Sequence, residues 1–339
     1  MALAFLISLL TLFSCSKKTS GTPASIIPAN LTLTANVSSD NSGNVTFTAN
    51  ATNASTYEYD FGNGIFQTVP TGIVTYKYPA SGVYAVNVLA KSSTGNSISK
   101  SLQVTVSVAR TMVWSEEFNA PGAPDPGKWN YDIGTGSGGW GNSELQYYTN
   151  RPENVFVSNG TLKIIARREA FSGSAFTSTR MQTKNKFSTK YGKIEVRAKL
   201  PAGVGTWPAI WMLGSNIDAV GWPACGEIDI MEHKGSDQNR VYGTLHHPGR
   251  SGGNADGGTT IISNSTTDFN IYSVEWSATL IKFAVNGNVF YSFVNNNNLP
   301  FNQNFFIILN FAMGGTFGGP VEAGYNISTM EVDYVRVYN

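Results

Sequence analysis

Apolar and polar residues alternate in short runs along most of this chain. The first third contains Leu31-Thr32-Leu33-Thr34-Ala35, Val45-Thr46-Phe47-Thr48-Ala49, Tyr57-Glu58-Tyr59-Asp60-Phe61, Val83-Tyr84-Ala85-Val86-Asn87-Val88 and Leu102-Gln103-Val104-Thr105-Val106. Successive side chains of a strand point to opposite faces, so each run predicts a half-buried strand. Turn residues recur roughly every ten positions, and no long stretch carries a helical period, so the fold class is all-β. The strands between residues 30 and 109 suit a small immunoglobulin-like β-sandwich.

One later strand conflicts with its own alternation. In Gly226-Glu227-Ile228-Asp229-Ile230-Met231-Glu232 the residues Glu227, Asp229 and Met231 share a face, and Ile228 and Ile230 share the other. Strict alternation then sends Glu232 into the core, where a lone carboxylate is expensive. A β-bulge near Met231 would return it to the acid face. Two glutamates about two pleats apart fall at roughly the separation that retaining glycosidases need between nucleophile and acid/base, with Asp229 between them to tune both. A solvated acidic strand face is the plain alternative. Trp207, Trp211 and Trp222 lie just upstream and weigh against it, because flat aromatic faces suit stacking on sugar rings.

At 339 residues the chain is long enough for two domains. Charged residues make up 13% and the formal net charge is +1, which argues against nucleic acid and acidic membrane surfaces as partners. Residues 2–13 are apolar but too few to span a bilayer comfortably, so residues 1–14 read as a signal peptide. Leu12-Phe13-Ser14-Cys15 resembles a bacterial lipobox, which implies lipidation of Cys15 and a protein anchored in the cell envelope; a simple secretory signal with an incidental cysteine, and a secreted protein, is the alternative. Residues 15–29 are mostly polar and read as a flexible tether. The second cysteine, Cys225, then has no disulfide partner.

Residues 30–109 resemble the PKD type of immunoglobulin-like module through Tyr59-Asp60-Phe61-Gly62-Asn63-Gly64, Tyr78 and Gly82-Val83-Tyr84-Ala85-Val86. They carry no catalytic constellation and read as a spacer or weak binding module. Residues 110–339 resemble glycoside hydrolase family 16, the laminarinase-like endo-β-1,3-glucanases in particular. The matching motifs are Trp114-Ser115-Glu116-Glu117-Phe118, Glu144-Leu145-Gln146-Tyr147-Tyr148-Thr149, Tyr191-Gly192-Lys193-Ile194-Glu195-Val196-Arg197, Gly205-Thr206-Trp207-Pro208-Ala209-Ile210-Trp211, the acid strand, and Val332-Asp333-Tyr334-Val335-Arg336-Val337-Tyr338. The resemblance implies a curved β-jelly roll with a cleft on its concave face.

It also implies roles. Glu227 is the expected nucleophile, ionised for attack, and Glu232 the expected general acid/base, protonated at the start, so their pKa values should be pushed apart. Arg180, His246 and Asn310 match family cleft positions, Trp207, Trp211 and Trp222 are the candidate sugar platforms, and Asn142 and Trp140 are further cleft candidates in a glycine-rich loop whose alternative role is packing. Asn310 interrupts an apolar run and needs a partner: a sugar hydroxyl, the nucleophile or backbone. The three histidines, His233, His246 and His247, lie close in sequence, but neighbours on a strand point to opposite faces and no zinc spacing is present, so no catalytic metal is expected. Glu117, Gly160 and Asp333 match the family's structural calcium position, and oxygen donors suit that ion.

The expected reaction is retaining endo-hydrolysis of β-1,3-glucan by double displacement in a monomer, with polysaccharide and a membrane lipid anchor as partners. The same fold acting on mixed-linkage glucan or an algal galactan is the alternative enzyme. A carbohydrate-binding protein without catalysis is the alternative from another class.

Overall fold

The computed structural model describes residues 25–339, so the signal segment, Cys15 and most of the tether lie outside the described residues. Two compact units divide the described chain between Ala109 and Arg110. In the first, a three-stranded sheet (Ala29–Val37, Asn44–Thr52 and Ile73–Lys77) and a four-stranded sheet (Phe66–Val69, Thr56–Asp60, Gly82–Lys91 and Ser97–Val106) enclose one core. Phe47, Tyr59, Phe61, Tyr78, Val86 and Val88 fill it. The alternation locates five of these strands; Phe66–Val69 and Ile73–Lys77 escape it, because they are short and their apolar residues Phe66 and Ile73 are exposed.

Before the first strand, the end of the expected tether is attached rather than free. The Ile26 amide donates to Thr94 Oγ1 at 3.1 Å, and the Ile26 carbonyl accepts from Thr94 Oγ1 at 3.0 Å and Asn96 Nδ2 at 2.9 Å. An extended backbone beside a hairpin tip carries unpaired polar groups, and these side chains satisfy them.

The second unit is a jelly-roll sandwich of a ten-stranded and a seven-stranded sheet. The seven-stranded sheet runs in the order Asp256–Ile261, Arg240–His246, Glu227–His233, Thr206–Gly214, Phe305–Met313, Arg180–Gln182 and Asn130–Asp132. Ile210, Met212, Ile228, Ile307, Leu309 and Phe311 project from its inner face onto Ile194, Val196, Val274, Phe283, Met330 and Val335 of the other sheet, forming one core. The alternate residues of the same strands therefore face outward. There Leu213, Cys225, Phe306 and Ile308 make a smaller apolar floor. Cys225 is a free, buried thiol, pushed up to about 11 by burial and by the nearby Glu227.

Candidate active site

The acid strand, Glu227–His233, carries the expected bulge. Asp229 pairs with Thr244 and Glu232 with Tyr242, so Ile230 and Met231 together oppose the single residue Gly243. On the other side Trp211 pairs with Asp229 and Ile210 with Met231. Met231 is not on the acid face, as plain alternation requires; it is fully buried in the core with Ile228 and Ile230. The extra residue thus buries two consecutive apolar side chains and turns Glu232 back outward. Opposite the bulge, a Cβ on Gly243 would lie 2.8 Å from the Phe283 ring, so the core leaves room only for glycine.

All three acids line one cleft of about 700 Å³. Trp207, Trp211, Trp222, Arg180, His246, Asn310, Asn142 and Trp140 line it as well, so every substrate-binding candidate read from the sequence meets the acids there. The tryptophans do more than form walls. Trp222 Nε1 donates to Glu227 Oε2 at 2.8 Å, and Trp207 Nε1 donates to Glu232 Oε1 at 3.2 Å. Thr244 Oγ1 donates to Glu232 Oε2 at 2.9 Å. Each glutamate is therefore oriented by an indole whose ring also borders the cleft.

A second chain of hydrogen bonds crosses the floor. Trp211 Nε1 donates to Asn310 Oδ1 at 2.8 Å, Asn310 Nδ2 donates to the Tyr148 hydroxyl at 2.9 Å, and that hydroxyl donates to Glu144 Oε2 at 3.1 Å. Asn310 bonds neither the nucleophile nor backbone; both ends of its amide serve side chains that shape the cleft. Arg180 lies between two rings, its guanidinium carbon 4.5 Å from the Trp140 centroid and 4.8 Å from that of Trp211. Its Nε is 2.9 Å from Asp132 Oδ2, so its charge is already compensated. Trp140 has a left-handed φ of 56°, unusual for a bulky residue and consistent with strain kept at a functional site.

Burial raises the pKa of all three acids on the strand. Glu227 and Asp229 stand well above the ordinary carboxylate range, through burial first; Asp229 and Glu232 then raise Glu227, whereas Asp229 is raised by Glu232 and lowered by its contact with Glu227. Glu232 is raised by burial and eased by its bonds from Thr244 and Trp207. The expected split between a low nucleophile and a high acid is thus absent in the free cleft, because three carboxylates in one dry cluster cannot all ionise. Donors distinguish the members. Glu227 receives the Trp222 indole, whereas Asp229, 3% exposed, has an Oδ2 with no hydrogen-bond partner among the described residues. The Trp222 indole favours charge on Glu227, the contact between the two carboxyls favours the proton on Glu227, and attack requires the shared proton to sit on Asp229.

His246 Nε2 lies 3.1 Å from Asp229 Oδ2 and 3.7 Å from Glu227 Oε1, though not aligned for a good hydrogen bond to Asp229. By distance these three residues form a set able to hold a metal ion. The Gly252 amide, however, donates to His246 Nδ1 at 3.1 Å, which leaves the ring proton of neutral His246 on Nε2, facing the acids. That nitrogen is then a donor rather than a metal ligand. His233 is buried against the Gln238 carbonyl, and His247 pairs with Asp256; neither lines the cleft.

Sequence reasoning assigned no role to Glu144, Thr244, Phe317 or the Gly252-Gly253 backbone, all of which line the cleft. Glu144 lies in one of the matched motifs, and its carboxyl is raised by burial despite bonds from Gln146 and Tyr148. Phe317 sits in a glycine-rich segment and packs 5.3 Å from Trp207, a contact that leaves no periodic signal. At the expected calcium position, Asp333 pairs with Arg197, and Glu117 accepts two bonds from Arg336 at 2.9 and 2.8 Å. Gly160 occupies the left-handed turn between Val155–Ser158 and Thr161–Phe171. A cation there would use backbone oxygens and compete with Arg197 for Asp333.

A jelly-roll sandwich with two indole-held glutamates in an aromatic cleft defines the class of sugar-cleaving hydrolases that work by paired carboxylates. Residues 142–336 match the profile of Glycosyl hydrolases family 16, more than half of the chain, and the protein belongs to that family. Residues 46–228 also match the profile of Beta-glucan synthesis-associated protein SKN1/KRE6/Sbg1. A beta-glucanase of Rhodothermus marinus is 44% identical over 243 residues, 67% of this chain and 84% of the relative. The X-ray structure of the laminarinase from Rhodothermus marinus matches with a TM-score of 0.65 at 44% identity, covering 68% of this chain and 98% of that one. A Z. galactanivorans structure in complex with laminaritriose and laminaritetraose matches with a TM-score of 0.62 at 43% identity, covering 68% and 99%.

Proposed function

We propose that this protein is a retaining endo-β-1,3-glucanase. The observation that carries the mechanism is the pair Glu227 and Glu232, returned to one face by the bulge and each held by an indole of the cleft wall. Glu232, kept protonated by burial, gives its proton to the glycosidic oxygen as that bond breaks. Glu227 attacks the anomeric carbon and forms the glycosyl-enzyme ester. Asp229 retains the shared proton, so the nucleophile carries the charge. Water then attacks the ester with Glu232 as base, which restores both carboxyls and gives the β-anomer.

Charge in the cleft favours a neutral polysaccharide. Its lining contains Glu144, Glu227, Asp229 and Glu232 against Arg180, whose charge faces Asp132. Among the described lining residues a sulfated galactan would meet four acids and one arginine that already faces Asp132. The test is product analysis on laminarin, lichenan, agarose and carrageenan, with the first-formed anomer followed by proton NMR. Internal cleavage of laminarin, fastest of the four and with the β-anomer first, is the expected result. Preference for a galactan overturns the substrate, and early α-anomer overturns the mechanism.

The PKD-type module, lipidation of Cys15 and envelope location are parts of the same proposal and rest on sequence motifs. Loss of fatty-acid labelling in Cys15→Ala supports the anchor. For calcium at Glu117, Gly160 and Asp333, the support is the oxygen donor set. A chelator that lowers the melting temperature, with recovery on adding Ca²⁺, is the expected result; an unchanged melting temperature removes the ion.

A further inference from the structure

The His246 ring is addressed from behind by a loop that holds no catalytic group. After Arg240–His246, the segment His247-Pro248-Gly249-Arg250 closes a tight turn, with His247 and Arg250 exchanging backbone hydrogen bonds at 2.9 Å. Proline followed by glycine at φ +81° fits this turn without strain. The next residues bring Gly252, also left-handed at φ +58°, back over His246, where its amide reaches Nδ1. One carboxylate fastens the whole loop. Asp256 Oδ1 accepts from Arg250 Nε at 3.1 Å and Nη2 at 2.6 Å, and Asp256 Oδ2 lies 3.0 Å from His247 Nε2. Arg250 Nη1 also donates to Asn254 Oδ1 at 3.1 Å.

We propose that Asp256 is a positioning residue for the hydrolysis: through Arg250 and His247 it holds the Gly252 amide against His246 Nδ1, so that the ring presents Nε2–H to the Glu227–Asp229 pair. This rests on the hydrolytic reading above. An imidazole free to take the other tautomer would aim a lone pair at two carboxylates and repel the charge that Glu227 carries into attack. With Nδ1 occupied by an amide donor, that tautomer and the doubly protonated ring both lose a hydrogen bond. Among the described residues the side-chain partners of Asp256 are Arg250 and His247, and neither lines the cleft. The groups facing His246 are Glu227, Asp229 and the Trp222 ring, with Glu232 further along; those facing Asp256 are Arg250, His247 and, from Asn288–Val294, Tyr291.

The experiment reads the ring directly. The chain has three histidines, so long-range ¹⁵N spectra of the full protein resolve each one, and His246→Gln assigns the signal. In the unaltered protein the neutral His246 ring should show a pyridine-type Nδ1 and a pyrrole-type Nε2. Asp256→Asn should average or reverse that pattern, lower kcat on laminarin about tenfold with little change in KM, and move the pH–rate profile. Asp256→Glu should restore part of both. Arg250→Ala, at a more exposed position, should shift both readouts in the same direction and serves if Asp256→Asn does not fold. A protonated Nδ1 in the unaltered protein, or variants with unchanged ring state and pH profile, overturns the proposal. Failure to cleave laminarin would instead overturn the hydrolytic reading, since the ring state is measured without substrate.

Discussion

Both units are sandwiches built on the same alternation, yet they treat polar groups in opposite ways. In residues 25–109 the large inward side chains are aromatic or aliphatic. The hydroxyls of Tyr59 and Tyr78 each reach a backbone carbonyl, Gly72 at 2.6 Å and Phe61 at 3.0 Å. Ser92 is the polar residue of this unit that is buried among the described ones. In the seven-stranded sheet of the second unit, Asp229 and Asn310 are buried and Glu227 and Glu232 nearly so. A fold gains nothing in stability from three acids whose pKa values burial raises. Local rules that agree everywhere except along one strand point to that strand as the place where structure gives way to chemistry.

The sharpest break of this contrast is removal of the acids. Glu227→Gln and Glu232→Gln should each lower laminarin hydrolysis by about 10³-fold or more, with circular dichroism unchanged. Equivalent changes in the first unit, such as Glu58→Gln at its partly exposed pair with Lys91, should leave turnover as it is. Near-normal rates in either cleft variant would remove the catalytic assignment.

A smaller loss should follow from cutting the floor network. Asn310→Ala leaves the Trp211 indole N–H without its acceptor and removes a donor from the Tyr148 hydroxyl, which keeps its bond to Glu144, so the aromatic wall loses its fixed position while the acids remain. A loss of kcat/KM of about 10- to 100-fold is expected, larger on long oligosaccharides than on short ones. Equal losses at every chain length would mean that Asn310 supports the acids and not the sugar-binding wall.

Stability should also differ between the two units in its response to pH. Glu227 binds its proton more tightly folded than unfolded, so the stability it contributes is full below the ordinary carboxylate range and is lost as pH climbs through its raised value. Glu227→Gln should therefore melt about 2–4 °C higher than the parent at neutral pH, with the gap closing below about pH 4. A variant that melts lower at neutral pH would show that the carboxylate stabilises the fold.

The acid pair is legible in the sequence because the bulge follows from a conflict that any reader of alternation meets: Glu232 falls on the wrong face unless one residue is inserted. The strands of the first unit are legible for the complementary reason, since nothing there resists the period of two. Glu144 and Phe317 are not legible from pattern. One lies in a short strand approach with no repeat, and the other sits among glycines whose backbone path sequence does not announce. The protonation pattern of the acids also escapes, because it depends on which indole reaches which oxygen, and the side-chain rotamers that decide this leave no mark on the alternation, even though Trp222 and Glu227 are only five residues apart.

The smallest effect should come from discarding the first unit altogether. Every residue that lines the cleft lies between Ser137 and Phe317, and the core beneath it is drawn from Phe118 onward. The strand Met112–Glu116 pairs with Ile327–Tyr338, so a fragment of residues 110–339 keeps both partners of that terminal ladder. It should fold alone and hydrolyse soluble laminarin within about twofold of the longer chain, since no bond to the acids is lost. A fragment that folds, as judged by a cooperative melt, but has lost tenfold or more in kcat/KM on a soluble substrate would mean that the first unit helps to build the cleft, and the contrast between a unit for packing and a unit for chemistry would have to be abandoned.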